Sequence, residues 1–254
     1  MRWINFVCLI MRLRVIMRQL GLSQQDDDMN EISMHVIAKM RSDFATKFGI
    51  PRQSGLVDSL RSTIVFEKEY RNADALRGLE DFSHLWIIWQ FSKAVREELS
   101  PTVRPPRLGG NTRLGVFATR SPFRPNAIGL SSVRILGIEK TQEQGTVIHV
   151  AGADLMDGTP ILDIKPYIPY CDCHEDATGG FTNHASQYLL KVNFPESLLQ
   201  RFPVEKHASV MEVLSHDPRP SYQRNPERIY GFSFAGKEIK FTVSEDCLTV
   251  IDVL

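Results

Sequence analysis

The chain has 254 residues, of which 43% are hydrophobic and 24% charged, and its 30 Lys and Arg balance its 30 Asp and Glu. This length supports one or two domains with a real hydrophobic core, and the composition excludes a disordered, collagen-like or coiled-coil chain. Four cysteines are too few for a secreted disulfide scaffold, so we expect a reducing, cytoplasmic location without disulfides.

Residues 1–30 form an N-terminal extension that differs from the rest of the chain. Residues 1–20 are apolar, but the longest uncharged run, residues 3–11, is only nine residues long, whereas a membrane span needs about 20. Arginines interrupt any signal-peptide core, so we expect neither a membrane anchor nor a secretory signal. The leader is compatible with a transit peptide, but we favour an amphipathic arm or residues upstream of a start at Met29 or Met34.

Residues 31–170 consist of short apolar runs broken by turn residues. Six of these runs are interpreted as strands, at residues 34–42, 63–68, 82–92, 114–120, 131–140 and 146–152. Their spacing and the Gly- and Pro-containing turns between them favour a small antiparallel β-barrel over alternating βαβ units.

Residues 171–184 are polar, contain glycine and are poor in strand formers, so we interpret them as a linker loop before a second domain at 185–254. The second domain is predicted to contain a strand over 187–194 and a helix that begins at Pro195 and stops before Asp217. Three further apolar runs separated by turn residues predict a β-meander. The predicted fold is therefore mainly β, with a barrel followed by a small α+β domain.

The positive charge is concentrated in one stretch, although the net charge is zero. Between residues 101 and 134 there are six arginines and no Asp, Glu, Lys or His, which indicates a single local anion-binding surface. Prolines stiffen the loop that carries Arg120 and Arg124, and this suits bidentate binding of a carboxylate or phosphate. We favour ligand binding over the alternative that one of these arginines pairs with a buried carboxylate.

Asp154, Asp157 and Asp163 surround a Gly-Thr-Pro turn. Carboxylates so grouped can bind a metal or act as a base, but their spacing differs from that of a calcium loop, so we predict no obligate metal. Asp157 could equally serve only to form the turn.

Residues 171–176 contain two cysteines, a histidine and three acidic residues. They lack the second ligand pair of a structural zinc site unless Cys247 or His184 folds back, so we favour a mobile loop over a zinc site. No Walker loop, dinucleotide-binding fingerprint or esterase elbow occurs in the sequence.

Several blocks of the sequence match a known family in order. They are residues 51–57, 77–86, 101–111, 115–130, 154–169 and 217–222. From about Met34 to its end, the chain resembles the TsaA/TrmO family of S-adenosylmethionine-dependent methyltransferases, which methylate N6 of N6-threonylcarbamoyladenosine next to the anticodon of tRNA. The resemblance implies a TsaA-like cofactor-binding barrel, a small C-terminal domain and a homodimer whose cofactor sites lie near the subunit interface.

The resemblance also implies which residues meet S-adenosylmethionine. The matching positions are Gln53, Ser54, Gly55, Ser92, Lys93, Arg120, Leu130, Ala151, Gly152, Ala153 and Asp154. The sequence departs from the family pattern at two places: Ser54 stands where a proline is common, and residues 90–93 differ from the usual family sequence. Backbone contacts to the cofactor are compatible with both departures.

Methyl transfer from a sulfonium releases a neutral thioether, so the enzyme must chiefly position its substrates and remove a proton from N6. The catalytic residues are therefore predicted to be Asp157, Asp154 and Arg120, with Asp157 as the candidate base. Arg120 is assigned to the carboxylate of either the cofactor or the threonyl group.

The other arginines are assigned to the anticodon loop of tRNA. These residues are Arg104, Arg107, Arg113, Arg124 and Arg219. Prolines on both sides of Arg219 are expected to present its guanidinium outward, although it could instead cap the preceding helix or pair with Asp217.

Two other functions stay open at this point. A non-catalytic RNA- or anion-binding module would use the arginines without methyl transfer, and an S-adenosylmethionine-dependent enzyme could act on a small molecule. The Asp157→Asn variant would distinguish an enzyme from a non-catalytic module, because the substitution would leave binding intact and only an enzyme has methyl transfer to lose. The salt dependence of substrate binding would distinguish a tRNA substrate from a small molecule.

Overall fold

Twelve β-strands are the main regular structure of the described part of the chain. The computed structural model describes residues 32–94, 98, 100–105, 108, 112–184, 188–219 and 225–254, so the N-terminal extension and Arg107 lie outside the described residues. The strands are β1 (Ala38–Arg41), β2 (Arg61–Phe66), β3 (His84–Gln90), β4 (Thr102–Val103), β5 (Leu114–Gly115), β6 (Ile128–Thr141), β7 (Gly145–Ala151), β8 (Pro160–Pro166), β9 (Lys191–Asn193), β10 (Tyr230–Phe234), β11 (Lys237–Ser244) and β12 (Cys247–Val253). The predicted mainly β fold is confirmed.

Six strands form one antiparallel sheet that closes on itself as a barrel. Their hydrogen-bonded order is β1-β2-β7-β6-β3-β8, and β8 pairs back to β1, where Ala38 lies opposite Ile161. Every second side chain of β2 and β3 is buried, because one face of the sheet packs on the core. This core includes Met40, Ile64 and Leu85.

Two details of the first sheet differ from the sequence interpretation. The run at 114–120 contributes only the two residues of β5, which pair with β4, and continues as a 3-10 turn over Val116–Ala118. Strand β8 closes the sheet but lies outside the six predicted strand runs. Its segment begins at a proline and carries charged residues, which weaken the apolar alternation that marks a strand.

The second sheet is formed by the end of the chain. Strands β10, β11 and β12 form an antiparallel meander, as predicted, and β9 adds to β12 in parallel. The predicted single helix is two helices, α2 (Glu196–Leu199) and α3 (Val204–Ser215). Pro203 separates them, because a proline disfavours helical geometry in the residue before it.

Residues from early in the chain pack into the core of the second sheet. Phe44, Val57 and Leu60 share a buried cluster with Val213 and Leu214 of α3, and residues 36–254 form one compact unit. The predicted linker includes the end of helix α1 (Pro169–Asp172) and a 3-10 turn over Gly180–His184. None of the helices in the described part of the chain is long and apolar enough to cross a membrane.

Candidate active site

A cleft of about 570 Å³ collects residues that are far apart in the sequence. The predicted positions that line this cleft are Gln53, Ser92, Lys93, Arg120, Arg124, Leu130 and Asp154. They come from the loop before β2, the turn after β3, the proline-rich loop after β5, the start of β6 and the segment after β7. The tertiary fold thus places most of the predicted cofactor residues at one site.

Asp154 is bound to a chain of buried polar groups at the cleft. The Ser131 hydroxyl donates to Asp154 Oδ1 at 2.6 Å, and Trp89 Nε1 donates to the Ser131 oxygen at 3.0 Å. Burial raises the pKa of Asp154 above its ordinary value, while the hydrogen bond from Ser131 and the positive charge of Arg120 oppose that rise. A carboxyl group with a raised pKa is a stronger proton acceptor when ionised.

The remaining predicted cofactor residues form the backbone layer behind Asp154. Gly55 N donates to Gly152 O at 2.9 Å, and Gly152 N donates to Leu60 O at 3.1 Å. Gly152 has a φ of 75°, and a Cβ on it would lie 3.3 Å from the Gly55 backbone, so a glycine is required here. The Ser54 hydroxyl accepts a hydrogen bond from Ser132 N at 3.2 Å.

Residues 151–153 are fully buried, so their side chains do not form the cleft wall. Their role in the geometry is to hold the chain that leads to Asp154. The loop at 53–55 and the segment at 151–154 are therefore one hydrogen-bonded unit beside the cleft.

Arg120 and Arg124 are held by neutral groups. Arg120 Nη1 donates to the Gln53 side-chain oxygen, and Arg124 Nη1 donates to the Thr119 carbonyl at 2.9 Å. Neither arginine forms an ion pair with any residue that the structure describes. Both retain their charge for an anionic ligand, as the ligand-binding interpretation requires.

Two further arginines of the Arg-only stretch lie outside the cleft lining. Arg104 is exposed, and exposed Arg113 donates to the Thr102 hydroxyl at 3.0 Å. Phe117, between this strand pair and Arg120, is 75% exposed. Exposed arginines and an exposed aromatic ring suit contacts with phosphates and unstacked bases.

Asp157 does not line the cleft. Its carboxylate accepts a hydrogen bond from Ser42 N at 3.1 Å and lies 3.5 Å from Arg41 Nη1, and its own N–H donates to Phe44 O at 2.8 Å. These contacts fasten the turn at 156–159 to the chain after β1. The structure thus does not bring Asp157 together with Asp154 and Arg120.

The guanidinium of Arg219 pairs with a neighbouring carboxylate, so the prediction that it points outward is wrong. Its Nε and Nη2 donate to the two carboxylate oxygens of Asp217 at 2.8 and 2.9 Å, and its side chain is only 10% exposed. Tyr188 also donates to Asp217, at 2.6 Å. The alternative that Arg219 pairs with Asp217 describes the structure.

The ion pair of Asp217 with Arg219, called the Asp217 pair below, lies just after the end of α3. Asp217 has a φ of 49°, a left-handed conformation that commonly ends helices and that aspartate tolerates. Burial alone would raise the pKa of Asp217, but the hydrogen bonds from Arg219 and Tyr188 lower it below its ordinary value. The ion pair is therefore a structural feature of the helix end.

The loop at 171–176 is attached to the barrel by its aspartate. Asp172 Oδ2 accepts hydrogen bonds from Trp86 Nε1 at 2.9 Å and from Ile168 N at 2.8 Å. Cys171 and Cys173 are exposed, and no cluster of three or more His, Cys, Asp or Glu side chains suited to a metal occurs in the part of the chain described.

Several residues in or beside the cleft were not singled out from the sequence, among them Trp89, Ser131 and Met156. Trp89 and Met156 line the cleft, and Ser131 supports Asp154. Ser131 is 1% exposed within a strand. A small hydroxyl at a core-facing strand position is the signal that could have identified it, because a buried hydroxyl needs a partner.

Comparison with protein families matches both parts of the chain. Residues 39–173 match the tRNA-methyltransferase O N-terminal domain, and residues 185–254 match the TrmO C-terminal domain. These two matches leave out the loop between them and the N-terminal extension.

Similar proteins cover most of the described fold. A tRNA (adenine(37)-N6)-methyltransferase of Escherichia coli is 41% identical over 206 residues, which cover 78% of this chain and 87% of that protein. An S-adenosyl-L-methionine-binding protein of Archaeoglobus fulgidus is 38% identical over 143 residues, 56% of this chain and 94% of that protein. The crystal structure of TrmO from Pseudomonas aeruginosa superposes with a TM-score of 0.71 at 33% identity, covering 88% of this chain and 99% of that one.

Proposed function

Because the chain belongs to the tRNA-methyltransferase O family, we propose that it transfers a methyl group from S-adenosylmethionine to N6 of adenosine 37 in tRNA. The modified nucleoside N6-threonylcarbamoyladenosine is the proposed substrate form. One observation supports this most strongly: Arg120 and Asp154, distant in sequence, line the same cleft as most of the residues that the family resemblance assigns to the cofactor.

The cleft suits S-adenosylmethionine in size and chemistry. Its volume of about 570 Å³ is within the range of small-molecule sites, roughly 300–1,000 Å³. Leu130, Ile128 and Met156 offer apolar surface for the adenine and the methionine chain, and Arg120 and Lys93 offer cations for the carboxylate. The bound cofactor supplies an electrophilic methyl group on a positively charged sulfur.

Asp154 is proposed as the proton acceptor for N6. It is the predicted catalytic carboxylate that lines the cleft, and burial raises the pKa of its carboxyl group. Ser131 donates a hydrogen bond to one carboxylate oxygen and so fixes the orientation of the group. Removal of the N6 proton by Asp154 leaves the nitrogen lone pair available for methylation.

Asp157 is proposed to support this site from outside. Its hydrogen bond with Ser42 N holds the turn whose residues Met156 and Thr159 line the cleft. We therefore propose Asp154 rather than Asp157 as the base, because Asp154 lines the cleft and Asp157 does not.

The anticodon loop is proposed to bind along the Arg-only stretch. Arg104 and Arg113 are exposed, and Arg124 lines the cleft, so the three can contact phosphates on either side of the target nucleotide. Arg107 belongs to the same stretch and stays a predicted contact. Such contacts make tRNA binding strongly salt-dependent.

We further propose a cytoplasmic homodimer of TsaA-like β-barrels, each followed by a small C-terminal domain. Leu130 is 54% exposed and Ile128, two residues earlier on the same strand, is 38% exposed, and both lie at the cleft. These exposed apolar side chains are suited to burial against a second copy of the chain.

Mass spectrometry of tRNA nucleosides tests the proposal. The purified chain is incubated with deuteriomethyl-labelled S-adenosylmethionine and tRNA that contains N6-threonylcarbamoyladenosine, and the tRNA is then digested. We expect the labelled methyl group on N6 of that nucleoside, and no labelled product from the Asp154→Asn variant.

Two controls separate the alternatives. Binding of S-adenosylmethionine and tRNA without label incorporation would contradict the proposal and indicate a non-catalytic module. Incorporation into small molecules but not into tRNA, with substrate binding that is insensitive to salt, would indicate a small-molecule methyltransferase.

A further inference from the structure

Helix α3 of the second domain contacts the chain segment that leads to the cleft. Glu212 Oε1 accepts a hydrogen bond from Asp58 N at 3.2 Å, and Oε2 accepts from Ser59 N at 3.1 Å and also from the Ser59 hydroxyl. Ser209, three residues earlier on the same helix face, donates to Ser59 O at 3.1 Å. Two helix residues therefore satisfy four polar groups of Asp58 and Ser59.

This contact continues by hydrogen bonds to the cleft. Leu60, next to Ser59, accepts from Gly152 N at 3.1 Å, and Gly152 O accepts from Gly55 N at 2.9 Å. Gln53 and Asp154 lie two residues beyond these glycines and line the cleft. A continuous path of backbone contacts thus runs from α3 to both cleft residues.

The segment at 51–60 depends on such contacts for its position. It contains no helix or strand, so no regular hydrogen-bond ladder fixes its backbone. Val57 and Leu60 anchor it in the core that they share with α3. Hydrogen bonds to a charged acceptor are stronger than those between neutral groups, and the carboxylate of Glu212 provides two acceptor oxygens.

We infer that Glu212 is a positioning residue for S-adenosylmethionine: by binding Asp58 and Ser59 it fixes the layer that places Gln53 and Asp154 in the cleft. The inference rests on the proposed function. It assigns the second domain a part in cofactor binding, although α3 contributes no residue to the cleft lining. Loss of the carboxylate releases two backbone N–H groups and lets the layer relax away from the cofactor.

A second contact of α3 provides the matched control. Lys206 Nζ lies 2.6 Å from Asp43 Oδ2, and both side chains are largely buried. This ion pair also attaches α3 to the first part of the chain, but Asp43 lies ten residues before Gln53 and outside the layer. A variant of Lys206 therefore weakens the same attachment without releasing Asp58 or Ser59.

Calorimetric titration with S-adenosylmethionine tests the inference on the full chain. The variants are Glu212→Ala, Glu212→Gln and Lys206→Met, with exposed Glu205→Gln as a surface control. We expect Glu212→Ala to raise the Kd about tenfold, and Glu212→Gln to raise it less, because the amide oxygen still accepts one hydrogen bond. Lys206→Met should lower the Tm and leave the Kd unchanged.

Turnover distinguishes positioning from a general loss of structure. With S-adenosylmethionine varied up to saturation, at a fixed tRNA concentration and well below each Tm, the KM of Glu212→Ala for the cofactor should rise while kcat stays within about twofold of wild type. If Glu212→Ala does not fold, Glu212→Gln provides the same comparison.

Two results would overturn the inference. One is an unchanged Kd in both Glu212 variants. The other is a rise of the Kd in Lys206→Met equal to that in Glu212→Ala, which would show that Glu212 acts only by attaching the helix. Failure of the wild-type chain to bind S-adenosylmethionine would overturn the proposed function itself and this inference with it.

Discussion

The Ser131 hydroxyl donates a 2.6 Å hydrogen bond to the Asp154 carboxylate, and the two residues are 23 positions apart in the chain. Trp89 donates to the same hydroxyl and is itself packed against Phe91, with ring centroids 4.1 Å apart. The orientation of the proposed base is therefore set by a buried tryptophan on another strand. A group whose position is fixed before the substrate binds is well suited to catalysis.

Replacing Asp154 by Asn should remove the proposed base and keep the hydrogen bond from Ser131. We expect kcat to fall by about 10²- to 10⁴-fold, the usual contribution of a positioned general base. Steady-state kinetics with modified tRNA measures this. An Asp154→Asn enzyme with near-normal kcat would exclude Asp154 as the base.

The same substitution should not destabilise the protein. Because burial raises the pKa of Asp154, the folded state favours the protonated carboxyl group. The protonated group therefore stabilises the fold below the unfolded-state pKa, and this stabilisation is lost as the pH rises through the folded-state pKa. At neutral pH a neutral Asn should therefore give an equal or higher Tm. Activity should show the opposite trend, falling as the pH drops through the raised pKa.

Replacing Ser131 by Ala should affect the pH profile as well as stability. The variant removes a hydrogen bond that lowers the pKa of Asp154 and leaves Trp89 Nε1 without this acceptor. We expect a loss of about 1–3 kcal/mol in the free energy of unfolding and a shift of the acidic limb of the kcat profile to higher pH. Ser131→Thr, which keeps the hydroxyl, is the matched comparison. A lower Tm with an unmoved pH profile would separate Ser131 from Asp154 chemistry.

Replacing Arg120 by Ala should weaken cofactor binding without unfolding the protein. Its side chain is exposed and hydrogen-bonded to Gln53, so little stability depends on it. We expect the Kd for S-adenosylmethionine to rise at least tenfold, or about 1.4 kcal/mol, with an unchanged Tm. A normal Kd together with normal turnover would exclude Arg120 from the site.

Arg113→Ala is the counterpart of this experiment on the tRNA surface. Arg113 lies outside the cleft lining, so the Kd for S-adenosylmethionine should not change. The KM for tRNA should rise, and the dependence of log K on log salt should become shallower by about one unit. A salt slope equal to that of wild type would show that Arg113 does not contact a phosphate.

Replacing Arg219 by Ala should destabilise the protein and leave the KM for tRNA unchanged. The variant leaves the carboxylate of Asp217 buried without its bidentate partner, and breaking a buried pair costs about 3–5 kcal/mol. Thermal unfolding and tRNA kinetics on the same variant measure both effects. A raised KM with an unchanged Tm would restore the prediction that Arg219 places tRNA.

The Asp217 pair also predicts loss of stability in acid. Since its hydrogen bonds lower the pKa of Asp217 in the folded state, its contribution is present above the ordinary aspartate pKa and lost as pH falls through the lowered value. Asp217→Asn should remove this part of the acid dependence and lower the Tm at neutral pH. If wild type and the Asp217→Asn variant lost the same amount of stability below a pH of about 4, this assignment would be contradicted.

By itself, the sequence determined the mainly β fold and the C-terminal meander, and it located the Arg-only stretch that we propose binds anions. Strand alternation, turn residues and local charge are properties of neighbouring residues, so they can be read without knowing the fold. The family resemblance likewise identified six of the residues that line the cleft, because the matching motifs are local features of the sequence.

Only the tertiary structure decided which of two aspartates, three residues apart in the sequence, lines the cleft. Asp154 is turned toward Ser131 of another strand, whereas Asp157 is turned toward Ser42 of the chain after β1. In the same way, Arg219 is turned inward because its guanidinium pairs with Asp217, whose carboxylate also accepts a hydrogen bond from Tyr188. The flanking prolines could not indicate this. Side-chain orientation depends on partners that are distant in the chain, and local sequence carries no information about those partners.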